Sequence, residues 1–143
     1  MEQRISLITL GVHDMGQAAA FYEALGWKRA DSPDGVIAFD LISQTLGLYP
    51  LAALAEDIGL PLEALGTGAM TLSHNTRSAE EVAELLAKAE AAGAKVLRPA
   101  GEVFWGGTIG YFRAPDNHIW EIAHNPFSPL SDEGAFRWNG YGS

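Results

Sequence analysis

The sequence passes twice through one order of elements, and this repeat limits its possible folds more than any other feature. The first pass opens with Ile5-Ser-Leu-Ile-Thr-Leu-Gly-Val12. That run is rich in β-branched and apolar residues and reads as a largely buried strand. Asp14 is placed to cap a helix over 15–25, with Gln17 three residues on, the spacing of a capping box. Ala18, Phe21, Tyr22 and Leu25 form its apolar stripe, and Gly26 stops it. A strand is expected over Trp27–Ala30, then a turn at Ser32-Pro-Asp-Gly35. Strands over Val36–Leu41 and Thr45–Tyr49 complete the pass.

Residues 51–66 read as one or two short helical turns around Pro61, and then the order recurs. Met70–Ser73 is a strand. Ser78-Ala-Glu-Glu81 is a second capping box, opening a helix through Ala92 that Gly93 stops. Lys95–Arg98 is a strand, and Thr108–Arg113 pairs with His118–Ala123 around the turn Ala114-Pro-Asp-Asn117. Thr9-Leu10 corresponds to Thr71-Leu72, and Leu25-Gly26-Trp27-Lys28 to Ala92-Gly93-Ala94-Lys95. The expected fold is α+β, built from two βαβββ modules over about 4–50 and 68–125, with 51–67 as connector. One helix on four strands is marginal alone, so the modules are expected to form a single domain over 1–126. Residues 127–143 are an aromatic, Pro- and Gly-containing tail without a clear period.

Charge and composition remove several functions. With 9 Lys+Arg against 18 Asp+Glu, the formal net charge is −9, which disfavours nucleic acid and anionic membranes as partners. There is no cysteine, so disulfides, Cys-ligated zinc, iron–sulfur clusters and thiol catalysis are excluded. The N-terminus lacks the basic and apolar regions of a signal peptide. The longest uncharged apolar run, Leu46 to Ala55, is broken by Pro50 and falls short of the roughly 20 residues of a membrane helix. A cytoplasmic location is the expectation.

Leu10-Gly-Val-His-Asp-Met…Ala20-Phe-Tyr-Glu-Ala-Leu-Gly-Trp27 resembles the opening of the vicinal oxygen chelate superfamily, which includes glyoxalase I, bleomycin-resistance proteins and extradiol dioxygenases. Gly110-Tyr-Phe-Arg-Ala-Pro-Asp-Asn-His-Ile-Trp-Glu-Ile122 resembles that superfamily's closing hairpin. The resemblance covers about residues 4–126. It implies two cupped mixed sheets around a ligand cleft, and a homodimer. It also implies metal ligands from the first and last strands of each module. Here those positions fall at Leu7, at Leu46 or Leu48, at Ala69 (Met70 if the register slips by one) and at Glu121. Leucine and alanine have no lone pair to give, so no metal and no other cofactor is expected.

Glu121 is therefore the candidate catalytic or anchoring residue. A carboxylate in a strand must be paired, whether its role is structural or functional. His118 and His124 each stand three residues from it and face away on a strand, so H-x-x-E is not a metal pair here. Phe39, Tyr49, Thr71, His74, Trp105 and Tyr111 are the further candidates for a ligand site. Trp105, in Phe104-Trp-Gly-Gly107, suits a loop that lays a ring on a ligand, and His74 suits a pH-tunable donor at a pocket rim. No dinucleotide loop, Walker loop, nucleophile elbow or HExxH is present. The leading expectation is a protein that binds a small organic molecule in an apolar cleft without a metal. A lyase, isomerase or dioxygenase of the same superfamily, using Glu121 as base or metal ligand, is the first alternative. A dimeric accessory module without a ligand is the second.

Overall fold

The computed structural model of the chain describes residues 1–141. The chain divides into two units, Met1–Thr67 with Pro115–Asn117, and Gly68–Ala114 with His118–Ser143.

In the first unit, β1 (Leu7–Val12) runs parallel to β3 (Thr45–Pro50), and β2 (Ile37–Asp40) pairs antiparallel with β3, giving the order β1-β3-β2. Helix α1 (Met15–Ala24) starts where Asp14 Oδ1 accepts from the Gln17 N–H at 2.9 Å, as the cap spacing requires. Its stripe packs Phe21 and Tyr22 onto the buried face of the sheet. Tyr22, Trp27 and Phe39 form one aromatic cluster there, with ring centroids 5.4–6.0 Å apart. The strand expected over Trp27–Ala30 is reduced to one isolated bridge, Ala30 to Ala38. Trp27 is drawn into the α1 cluster and the Ser32–Gly35 turn follows at once, which leaves no length for a ladder. Helix α2 (Leu51–Ile58) and a short 3₁₀ turn (Leu62–Ala64) form the connector.

In the second unit, β4 (Thr71–Asn75), α3 (Glu80–Ala91), β5 (Lys95–Glu102), β6 (Thr108–Arg113) and β7 (Ile119–His124) form the complete βαβββ module. Its sheet order is β4-β7-β6-β5, with β4 parallel to β7 and the other pairs antiparallel. The expected capping box is only half formed. Ser78 Oγ accepts from the Glu81 N–H at 3.4 Å, but the Glu81 carboxylate reaches Arg77 N–H at 3.1 Å instead. Val82, Leu86 and Ala89 of α3 are buried against the sheet face that carries Phe112, Trp120 and Ile122.

The repeat is clearest at the two helix ends. Gly26 and Gly93 both have φ of +111°, a conformation costly for any residue with a Cβ. In each, the glycine N–H bonds the carbonyl three residues back, and the next N–H bonds the one five back (Trp27 to Tyr22, Ala94 to Ala89). Both helices thus end in the same Schellman closure.

The tail is fixed to the second unit through residue 141. Arg77 donates to the carbonyls of Ser131 and Asp132, each at 3.0 Å, and Ser128 Oγ donates to the Trp138 carbonyl. Arg137 lies over the Tyr141 ring, 5.2 Å from its centroid. Residues 142–143 lie outside the described residues.

Candidate functional site

Strand pairing brings four polar side chains into one line. In the second sheet Ser73 is registered with Glu121, Glu121 with Tyr111, and Tyr111 with Arg98. Registered residues on neighbouring strands point to the same face, so Ser73, Glu121, Tyr111 and Arg98 form a row across β4, β7, β6 and β5. Leu86 of α3 lies against Gly110, one residue from Tyr111 and so on the other face. The row is therefore on the face that α3 leaves open.

Both carboxylate oxygens of Glu121 are engaged. Ser73 Oγ donates to Oε1 at 2.9 Å, and the Tyr111 hydroxyl donates to Oε2 at 2.9 Å. An ionised carboxylate has about four lone-pair sites, so two acceptor positions remain for a ligand. The hydrogen bond to Glu121 raises the Tyr111 pKa above its ordinary value, aided by burial and the carboxylate charge and opposed by the Arg98 charge. Tyr111 therefore remains a phenol, and a donor, throughout neutral pH.

Of the other candidates, Thr71 lies on the same face of β4 as Ser73, beside Ile119 of β7. His74 is registered with Ile122 on the α3 face, so it cannot join Glu121 on one side of the sheet. Desolvation by the surrounding protein atoms lowers its pKa, partly countered by the charge of Glu81. Trp105 sits in the β5–β6 loop, beyond the Thr108–His124 end of the sheet. Its indole lies on Gly107, where a Cβ would stand 2.0 Å from a ring carbon, and it remains 39% exposed. Phe39 is 0% exposed, inside the α1 cluster of the first unit. A ligand cannot touch a side chain that α1 covers, so its expected role in a ligand site is corrected. Tyr49 lies on the opposite face of that sheet, and hydrogen bonding to Asp57, then its charge, raises its pKa.

The metal positions also need correction. Leu46 and Leu48 are 1% and 0% exposed on the α1 side, whereas Leu7 is 55% exposed on the other face. On β3 the residues sharing the Leu7 face are Thr45, Gly47 and Tyr49. Leu7, Gly47 and Ala69 have no side-chain donor for a cation, Thr45 and Tyr49 offer only neutral hydroxyls, and Glu121 as the one carboxylate is a weak set of donors. Among the described residues no group of three or more His, Cys, Asp or Glu stands together to hold a metal. The residues present do not fit the superfamily's metal.

Sequence reasoning missed Ser73 and Arg98 as site residues. Ser73 could be found only by extending the Thr71 alternation and knowing its parallel partner. Arg98 was hidden by an irregularity in β5, between Val96 and Arg98.

The fold, the repeat and the Glu121 row now stand together. The profile of the Glyoxalase/Bleomycin resistance protein/Dioxygenase superfamily matches residues 4–122, and the chain belongs to that superfamily. A glyoxalase-related enzyme from Fulvimarina pelagi is 36% identical and superposes with a TM-score of 0.88, over 96% of this chain and 99% of that one. Hypothetical protein SA1046 from S. aureus is 24% identical, with a TM-score of 0.76 over 87% and 95% of the two chains. Lactoylglutathione lyase from Agrobacterium tumefaciens is 20% identical, with a TM-score of 0.68 over 87% and 96%, and shares the fold alone. No curated protein matches the chain.

Proposed function

We propose that this protein binds a small organic molecule on the open face of its second sheet, with Glu121 as the polar anchor and without a bound metal. The observation that carries this reading is the clamp on Glu121, a mid-strand carboxylate fixed on both oxygens by Ser73 and Tyr111. Two hydrogen bonds fix its rotamer, and two of its acceptor positions remain for a ligand. A group held this way is preorganised to accept N–H or O–H donors from a ligand, and charge-assisted bonds of that kind are among the stronger polar contacts. The Fulvimarina pelagi relative is described as an enzyme, and general-base catalysis by Glu121 is the second reading.

Two measurements test the binding role. Metal analysis of the purified protein should find no stoichiometric Zn, Ni, Fe or Mn, and finding one overturns the metal-free reading. Ligand-observed NMR with a panel of small amines, alcohols and amides should identify binders whose affinity falls about tenfold or more in Glu121→Gln. Equal affinity for both proteins removes Glu121 from the site.

A homodimer forms part of the same proposal. Phe104, Phe127 and Trp138 are 101%, 68% and 81% exposed in the second unit. Large apolar side chains left in water in such number suit a surface that another copy covers. Sedimentation velocity at micromolar concentration should give twice the monomer mass, and Trp138→Ser should shift the distribution toward monomer.

A further inference from the structure

Arg98 stands at the end of the Glu121 row for a reason the local sequence does not show. Counting alternately from Lys95, which is registered with Arg113, would put Leu97 on the open face and Arg98 on the α3 face. Instead the ladder slips between Val96 and Arg98, and again between Arg98 and Gly101. Each slip inserts a residue into β5, and the first turns Arg98 onto the face of Tyr111 and Glu121. Bulges of this kind re-aim side chains, and they cluster beside functional sites. The second slip adds another residue, so Gly101, paired with Ile109, is back on the face that simple alternation gives it, and the change of face is confined to Arg98 and the two residues after it. Pro99 fits there because β5 is an edge strand.

The row therefore holds an anion and a cation with a phenol between them. Among the described residues, neither Glu121 nor Arg98 has an ion-pair partner. Glu121 is held by two neutral hydroxyls, and Arg98 is exposed. Their strands are two apart in the sheet, which separates the backbones by about 10 Å at roughly 4.8 Å per strand. Tyr111 fills the intervening strand, so the two charges do not neutralise each other directly. A molecule with opposite charges at its ends would compensate both.

We propose that the ligand is amphoteric, with an ammonium or similar donor at Glu121 and a carboxylate or similar anionic group at Arg98. This rests on the reading of Glu121 as the anchor. The Arg98 guanidinium offers a planar fork that matches a carboxylate in two parallel hydrogen bonds, which an ammonium cannot reproduce. Tyr111 lies under the middle of such a ligand and gives it an aromatic surface.

The test uses three probes of one length: 6-aminohexanoate, hexylamine and hexanoate. Affinities are read from two-dimensional NMR titrations of the full-length wild type, Arg98→Gln and Glu121→Gln. Wild type should bind 6-aminohexanoate at least tenfold more tightly than either single-charge probe. Arg98→Gln should bring 6-aminohexanoate to the level of hexylamine, and Glu121→Gln should bring it to the level of hexanoate. Unchanged spectra away from the row show that each variant folds. If Arg98→Gln binds 6-aminohexanoate as well as wild type while Glu121→Gln does not, the amphoteric ligand is refuted and the anchor stands. If Glu121→Gln has no effect, the anchor fails and this inference with it. Absence of binding by all three probes also overturns the inference.

Discussion

At the scale of the residue, the hydroxyl of Tyr111 decides how Glu121 is presented. Its hydrogen bond to Oε2 is part-buried, and Tyr111→Phe should cost about 1 kcal/mol of stability at neutral pH. The cost should depend on pH with a definite sign. The folded-state pKa of Tyr111 is raised, so the neutral phenol is the form that folding favours. Its contribution is fully present below the unfolded pKa of about 10 and is lost as pH rises through the higher folded value. Denaturant melts of wild type and Tyr111→Phe should therefore differ by a constant amount from neutral pH to about pH 9 and converge above pH 10. A difference that persists above the folded value would show that Tyr111 is not a donor to Glu121. Glu121 itself was legible in the sequence because it is the one acid at the ligand positions that the resemblance implies. Ser73 was not, because only its pairing with β7 brings its hydroxyl to that acid.

At the scale of the element, close packing of α3 on the sheet keeps the row rigid from behind. A Cβ at Gly110 would lie 2.4 Å from Leu86 Cδ1, 3.1 Å from the Arg98 carbonyl oxygen and 3.3 Å from the Ala100 nitrogen. The leucine methyl can move, but the β5 backbone at the bulge cannot move freely. Gly110→Ala should thus lower stability by about 1–3 kcal/mol and shift the amide resonances of Arg98 and Ala100 more than those of β4. A thermal midpoint equal to wild type would show that β5 is loose there. Helix ends and the closing hairpin were readable from local chemistry, because glycine stops and turn residues act over a few positions. The side assigned to Leu46 and Leu48 was not, because one residue of register exchanges the faces of a strand. The missing ladder at Trp27–Ala30 has a similar cause: strand propensity there loses to the packing of Trp27 on Tyr22 and Phe39.

At the scale of the whole molecule, the chain joins residues far apart in sequence. The turn Pro115–Asn117 belongs with the first unit, where the Tyr22 hydroxyl donates to Asp116 Oδ2 at 2.6 Å. Both residues are buried, and 94 positions separate them. Tyr22→Phe removes a hydrogen bond to a buried carboxyl group and should cost about 1.5–3 kcal/mol in equilibrium unfolding. A loss below about 0.5 kcal/mol would show that the remaining interactions of Asp116 suffice. Asp116 looked like a turn residue in the sequence, since its type suits a reverse turn, and nothing local marks it as the partner of a helix residue.

The sequence alone determined the repeat, the order of elements apart from the strand at Trp27–Ala30, the helix stops and the family, because each is written in short-range pattern. It also marked Glu121, the one acid at the ligand positions that the resemblance to the superfamily implies. Only the tertiary structure decided what surrounds that carboxylate. Strand register selects Ser73 and Tyr111 as its donors, and a slip in the ladder turns Arg98 toward it. The physical reason is that side chains alternate faces along a strand, so one residue of pairing, invisible in the linear sequence, decides which groups meet.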